Sequence, residues 1–156
     1  MSDMNFKRFY LFPYKLKIAG WLFLIAGLAF AIYRFYFGFK PECLNIKVFA
    51  VYSSFLQSKY FTFITNNISE EIVGLLILLG LFFIGFSEEK EESSAGMLIR
   101  YRSLFLSVYF NVLFLLVSFL FVFGLGFIKV LVLNVYSLLI IYIIIFNYFY
   151  HFRKPE

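Results

Sequence analysis

Leu104–Phe123 reads LFLSVYFNVLFLLVSFLFVF, and Ile128–Phe149 reads IKVLVLNVYSLLIIYIIIFNYF. The two runs are 20 and 22 residues long. At 1.5 Å of rise per residue, each makes a helix of about 30 Å, the thickness of a bilayer's hydrocarbon core. The one charge in either run is Lys129, close enough to the end for its stem to carry the ammonium out to the headgroups. Gly124-Leu125-Gly126-Phe127 lies between them, and its two glycines offer the positive φ that a tight helix–helix turn wants. The stretch predicts a transmembrane helical hairpin.

Composition extends that reading to the whole chain. Of 156 residues, 63% are hydrophobic and 15% charged, with a mean hydropathy of +0.88. So few charges could not cover a water-soluble domain of this size, which points to one membrane domain spanning residues 1–156. The net charge of +5 comes from basic residues that flank apolar runs. They read as setting orientation in a lipid bilayer, and no nucleic-acid partner is expected. Cys43 is alone, which excludes an internal disulfide and a two-cysteine redox mechanism within one chain.

Upstream of the hairpin, two more spans are expected, at about 18–38 and 70–87, ahead of those at 104–123 and 128–149. Ile18–Tyr33 is apolar and carries Gly20, Gly27 and Ala31 near one helical face, a small-residue surface for close packing. A signal peptide ending at Ala29-Phe30-Ala31 competes, but the apolar run continues past that site. Before it, Met1–Lys17 mixes cations with aromatic rings, in the manner of an interfacial segment. Ile72–Phe86 supplies only 15 apolar residues, about 22 Å of helix, so it needs local thinning or polar ends drawn inward. Asn67-Ile68-Ser69-Glu70 just before it resembles a capping box.

Between the first two spans lies an outer loop, residues 40–71. Ile46–Tyr52 and Tyr60–Thr65 are β-branched and aromatic, which predicts a short β-hairpin lying on the membrane surface, with amphipathic helix as the alternative for either piece. The connection 87–103 holds Glu88, Glu89, Glu91 and Glu92, then Arg100 and Arg102. This reads as a solvated face, or as a helix whose acidic start and basic end suit the macrodipole, weakened by Ser93, Ser94 and Gly96. The fold class is thus an all-α membrane protein with four transmembrane helices, a C-terminal helical hairpin and a small outer region that holds the β-hairpin.

Orientation follows from counting cations. With four spans, the termini and the connection share a side with nine Lys and Arg residues, against Arg34, Lys40, Lys47, Lys59 and Lys129 on the other. Both termini are expected in the cytoplasm.

Chemistry is conspicuous by what is missing from the sequence. Asp3 is the one aspartate and His151 the one histidine, and no acid lies inside any apolar run. Paired-carboxylate, Ser-His-Asp and bis-His haem arrangements within one chain are excluded. No catalytic residue, metal site or cofactor is expected, and His151 reads as an interfacial residue. Proton-coupled export of the kind that uses a membrane-embedded Glu in a first span is disfavoured, because Ile18–Tyr33 has none.

The informative polar residues are therefore structural candidates, those inside the spans as interhelical hydrogen-bonding groups with a pore lining as the alternative. Arg34 at the outer end of span one lies level with Glu70 and Glu71 at the start of span two, which predicts an ion pair with one of them, with independent snorkelling as the alternative. Counting outward from a turn centred at Leu125–Gly126 matches Asn134 with Ser118 in depth, and Asn111 with Tyr142. Asn111 and Asn134 are expected to turn inward, because an unpaired amide in hydrocarbon costs several kcal/mol.

Phe86-Ser87-Glu88-Glu89-Lys90-Glu91-Glu92, Leu98-Ile99-Arg100-Tyr101-Arg102-Ser103-Leu104, Ser107–Asn111, Asn134–Ile140 and Asn66–Ile72 carry a resemblance. Together they resemble a family of small, uncharacterised four-span bacterial inner-membrane proteins, often encoded beside a helix-turn-helix regulator. Ser93, Ser94 and Gly96 depart from the unbroken charged helix usual before the family's third span. The resemblance implies an inner-membrane, multi-pass protein and supplies no activity to carry over. The expected function is a non-enzymatic integral membrane accessory or scaffold protein, coupled to an envelope response, with a membrane-protein partner or a homo-oligomer. A small oligomeric channel or transporter is the alternative.

Overall fold

The computed structural model describes residues 11–53, 59–90 and 94–152. Its elements run in the order α1 (Tyr14–Ala31), a π-helical turn (Ile32–Tyr36), a short 3-10 turn (Glu42–Leu44), β1 (Asn45–Ser53), β2 (Lys59–Asn67), α2 (Ser69–Phe86), α3 (Ser94–Phe121) and α4 (Leu125–Phe152). Among the described residues, four helices are long and apolar enough to cross a membrane: Tyr14–Tyr36, Ser69–Phe86, Gly96–Phe121 and Leu125–His151. The strands form a two-stranded antiparallel sheet, as the β-branched and aromatic pattern predicts.

The helices are longer than their apolar runs. α2 takes in Ser69, Glu70 and Glu71, which lengthens it to 18 residues, about 27 Å. α3 begins at Ser94, so most of the expected connection is helix rather than loop, and Gly96 is buried within it. α4 begins at Leu125, which moves the turn to Val122-Phe123-Gly124. Gly124 alone supplies the positive φ, +67°, while Gly126 is helical. Of the expected interfacial segment, Met1–Tyr10 lies outside the described residues. Tyr14–Lys17 belongs to α1, which starts directly after Pro13.

By internal contacts the chain divides into two compact units. One comprises residues 23–77. In it a Cβ added at Gly27 would lie 2.9 Å from Ile77 Cγ1 and 3.0 Å from Leu76 Cβ, so glycine is what admits that approach. The sheet packs no core of its own: Phe49, Val51, Phe61 and Phe63 are all exposed. Its base is tied to α2 through Ile68 N–H donating to Leu44 O at 3.1 Å. The expected capping box does not form. Asn67 Oδ1 accepts from Ser69 N–H at 3.2 Å, and Glu70 turns to Arg34 instead.

The other unit holds residues 1–22 and 78–156. Here a Cβ at Gly20 would meet Phe83 Cβ at 2.9 Å and Gly80 O at 3.0 Å. Phe12 bridges to Ser87, donating to Phe86 O at 2.9 Å and accepting from Glu88 N–H at 2.8 Å. The Lys17 ammonium pairs with Glu89. α3 and α4 form the helical hairpin, with Leu139, Tyr142 and Phe146 buried on α4.

On α3 the burial pattern is inverted relative to a water-soluble helix. Gly96, Arg100, Ser103, Ser107, Asn111 and Ser118 are buried, at helical spacings of three, four and seven. Leu98, Phe105, Val112, Leu116, Phe119 and Leu120 are exposed. Water would favour the opposite arrangement; a hydrocarbon solvent favours this one.

Candidate functional site

The α3 stripe gathers the buried polar chemistry into two nodes. The first lies twelve residues before Phe123 on α3 and eleven after it on α4. Asn111 Oδ1 accepts from Asn134 Nδ2 at 2.9 Å and from Ser137 Oγ at 2.7 Å. Ser137 Oγ also lies 2.9 Å from Asn134 O, so one hydroxyl proton serves two acceptors. The depth-matched pairs expected from the sequence are not those that form. Ser118 Oγ donates to Phe114 O of its own helix at 2.8 Å, and Tyr142 hydroxyl accepts from Arg100. The cause is the turn: centred on Phe123 rather than Gly126, the hairpin brings Asn111 level with Asn134.

The second node is built around Arg100, which is buried although it precedes the apolar run. Its Nη1 donates to Gly85 O at 2.8 Å and to Tyr142 hydroxyl at 3.3 Å, and its Nη2 to Ser87 O at 2.7 Å. The guanidinium lies 4.3 Å from the centre of the Phe146 ring, which stacks on Tyr142 in turn. Gly85 and Ser87 sit at the end of α2, where carbonyls lack helical partners and the macrodipole is negative. A fixed cation there satisfies both and fastens α2 to α3 and α4. Ser87 Oγ and Ser103 Oγ are fully buried nearby in sequence, with no hydrogen-bond partner among the described residues.

The third node belongs to the 23–77 unit. Arg34 Nε donates to Ser69 Oγ at 2.9 Å and Nη2 to Glu70 Oε1 at 2.6 Å. The π-helical turn surrounds this arginine, and a π turn inserts one extra residue into the helix, which re-aims the side chain. The Arg34 side chain is 8% exposed and that of Glu70 58%, so the pair lies at the edge of burial. Glu71 accepts from Asn66 Nδ2 at 3.3 Å and takes no part in the pair.

Sequence reasoning missed Arg100, Ser69, Ser87 and Ser103. The signal for two of them was present. Stepping back from Asn111 in helical intervals reaches Ser107, Ser103 and Arg100 on one face, once the helix is allowed to extend past the apolar run. Ser69 and Ser87 sit at helix ends, and no periodicity marks them. Among the described residues, no three His, Cys, Asp or Glu side chains converge on a metal-binding geometry. The chain matches no family model, no curated protein and no solved structure.

Proposed function

We propose that this chain is a non-enzymatic integral membrane protein that acts as an accessory or scaffold subunit. One observation carries the reading. The two long polar side chains buried on α3 are engaged beyond their own helix, Arg100 with carbonyls at the end of α2 and Asn111 with Asn134 and Ser137 of α4, as in a bundle stapled for stability. Four helices of spanning length and an inside-out α3 support placement in a bilayer. The cation count favours termini in the cytoplasm. The resemblance to small four-span bacterial proteins favours the inner membrane and an envelope response as its setting.

Reconstitution into liposomes tests the scaffold reading directly. Ion and small-solute flux should stay at the protein-free level, and native co-purification should return a membrane-protein partner or further copies of the chain. Robust, saturable flux would replace the scaffold with a channel or transporter.

A further inference from the structure

We propose that the aromatic face of the β1–β2 hairpin is a lipid-binding surface that seats among the headgroups of the leaflet where α1 ends and α2 begins. The proposal rests on the membrane placement of the helices given above. The strand register sets Phe49 opposite Phe63 and Lys47 opposite Thr65. Phe49 also meets the rings of Phe61 and Phe63, at 6.5 and 5.4 Å between centroids, so all three project from one face. Phe49 is 55%, Phe61 72% and Phe63 72% exposed, and Val51 beside them 57%. The opposite face carries Val48, Ala50, Thr62 and Ile64, each partly covered, with exposed Ile46 at its root and exposed Tyr52 and Tyr60 toward its tip. Phe61 holds this arrangement at φ +48°, a conformation a bulky residue rarely adopts. A contiguous exposed apolar patch of this kind marks an interaction surface.

The base of the hairpin fixes where that face can go. Asn67 Nδ2 donates to Pro41 O at 2.9 Å and to Asn45 Oδ1 at 2.8 Å, closing the sheet at its root. Ile68 alone separates β2 from α2, and its N–H is held by Leu44 O. The strands are thus anchored within one residue of the first turn of a candidate span. On the α1 side, Phe35, Tyr36, Phe37 and Phe39 are exposed as well, the aromatic belt chemistry of a membrane–water boundary.

Charge decides between lipid and a second copy. The face presents Lys47, Phe49, Val51, Phe61, Phe63 and Thr65, and no carboxylate. Two copies stacked on this face would set Lys47 against a surface with no anion. Phosphate headgroups supply that anion and accept the rings at ester depth. The depth is bounded too: a two-stranded sheet leaves its outer backbone edges unpaired, and these cannot enter the hydrocarbon.

Tryptophan quenching in nanodiscs tests the proposal, with full-length chain at one copy per disc. Discs contain phosphatidylcholine and phosphatidylglycerol, brominated either beside the ester or near the chain terminus. Phe63→Trp in a Trp21→Phe background should lose most of its emission to the ester-proximal bromines and little to the terminal ones. Lys47→Glu in that background should weaken the quenching in anionic discs. The unaltered protein reports Trp21 on α1, which bromines quench if α1 crosses the bilayer. Quenching of Trp21 with none at position 63 overturns the lipid surface and leaves the spans standing. Quenching at neither position overturns both. Emission at position 63 that responds only to a second copy per disc replaces lipid with self-association. Should Phe63→Trp fail to fold, Phe49→Trp probes the same face.

Discussion

At the scale of single residues, Asn111 ties α3 to α4, since its one carbonyl oxygen serves two donors of the neighbouring helix. Asn111→Ala leaves Asn134 Nδ2 without its acceptor, while Ser137 falls back on Asn134 O. Interhelical hydrogen bonds in membranes contribute about 0.6 kcal/mol each, so Asn111→Ala should cost about 1–2 kcal/mol and Asn134→Ala about half that. Denaturant titration in mixed micelles measures both. Losses that simply add in the double variant would show that the two amides do not cooperate. A second cycle concerns Arg34. Arg34→Gln should couple to Glu70→Gln and not to Glu71→Gln, because Glu71 faces Asn66. Glu70 is more than half exposed, so the coupling should stay below about 1 kcal/mol. Pairing of Arg34 was legible in the sequence because a charge at a span's end has few partners at its own depth, but the sequence left Glu70, Glu71 and independent snorkelling all open. Arg100 was not, because its acceptors Gly85 O and Ser87 O are backbone atoms that any residue type would present.

At the scale of elements, close helix approach rests on glycine. Gly20 and Gly27 sit two helical turns apart on α1, and each meets α2 at a distance no Cβ tolerates. Gly20→Ala and Gly27→Ala should each destabilise by about 1–3 kcal/mol through overpacking. Gly38 offers the contrast: nothing lies within 4 Å of an added Cβ, but its φ is +65°. Gly38→Ala should cost about 1–2 kcal/mol through backbone strain, and Gly38→Asn should recover part of that, since asparagine visits the left-handed region. Asparagine at position 20 should recover nothing. A rescue at both positions, read in the same micelle titration, would remove the distinction between strain and crowding. The glycines also explain what the sequence hid. Gly20 and Gly27 stood on one face of an unbroken apolar run, so their packing role was readable. Gly124 and Gly126 both qualified as turn residues, and local sequence does not say which adopts positive φ. The three-residue shift that followed changed every depth match along α3 and α4. The β-hairpin, by contrast, was set by local alternation and turned out as the pattern implies.

At the scale of the whole molecule, the orientation proposed from the cation count is one that labelling can report. Cys43 is the one cysteine in the chain, is exposed, and lies in the short segment between α1 and β1. Lys90 is exposed just beyond the far end of α2. If α2 crosses the bilayer, these two positions stand on opposite sides of it. Nine cations accompany the Lys90 side and five the Cys43 side, so the proposed orientation puts Lys90 in the cytoplasm. A membrane-impermeant maleimide should therefore label native Cys43 on intact bacterial cells that express the protein. Lys90→Cys in a Cys43→Ser background should label only after the inner membrane is opened. The reverse pattern would invert the orientation and keep the span. Labelling of both positions on intact cells would mean that α2 does not separate them, and would return its 18 residues to the status of a helix lying along the surface. The assay reads the side of the membrane and not the stability of the bundle, so it stays independent of the asparagine and glycine variants.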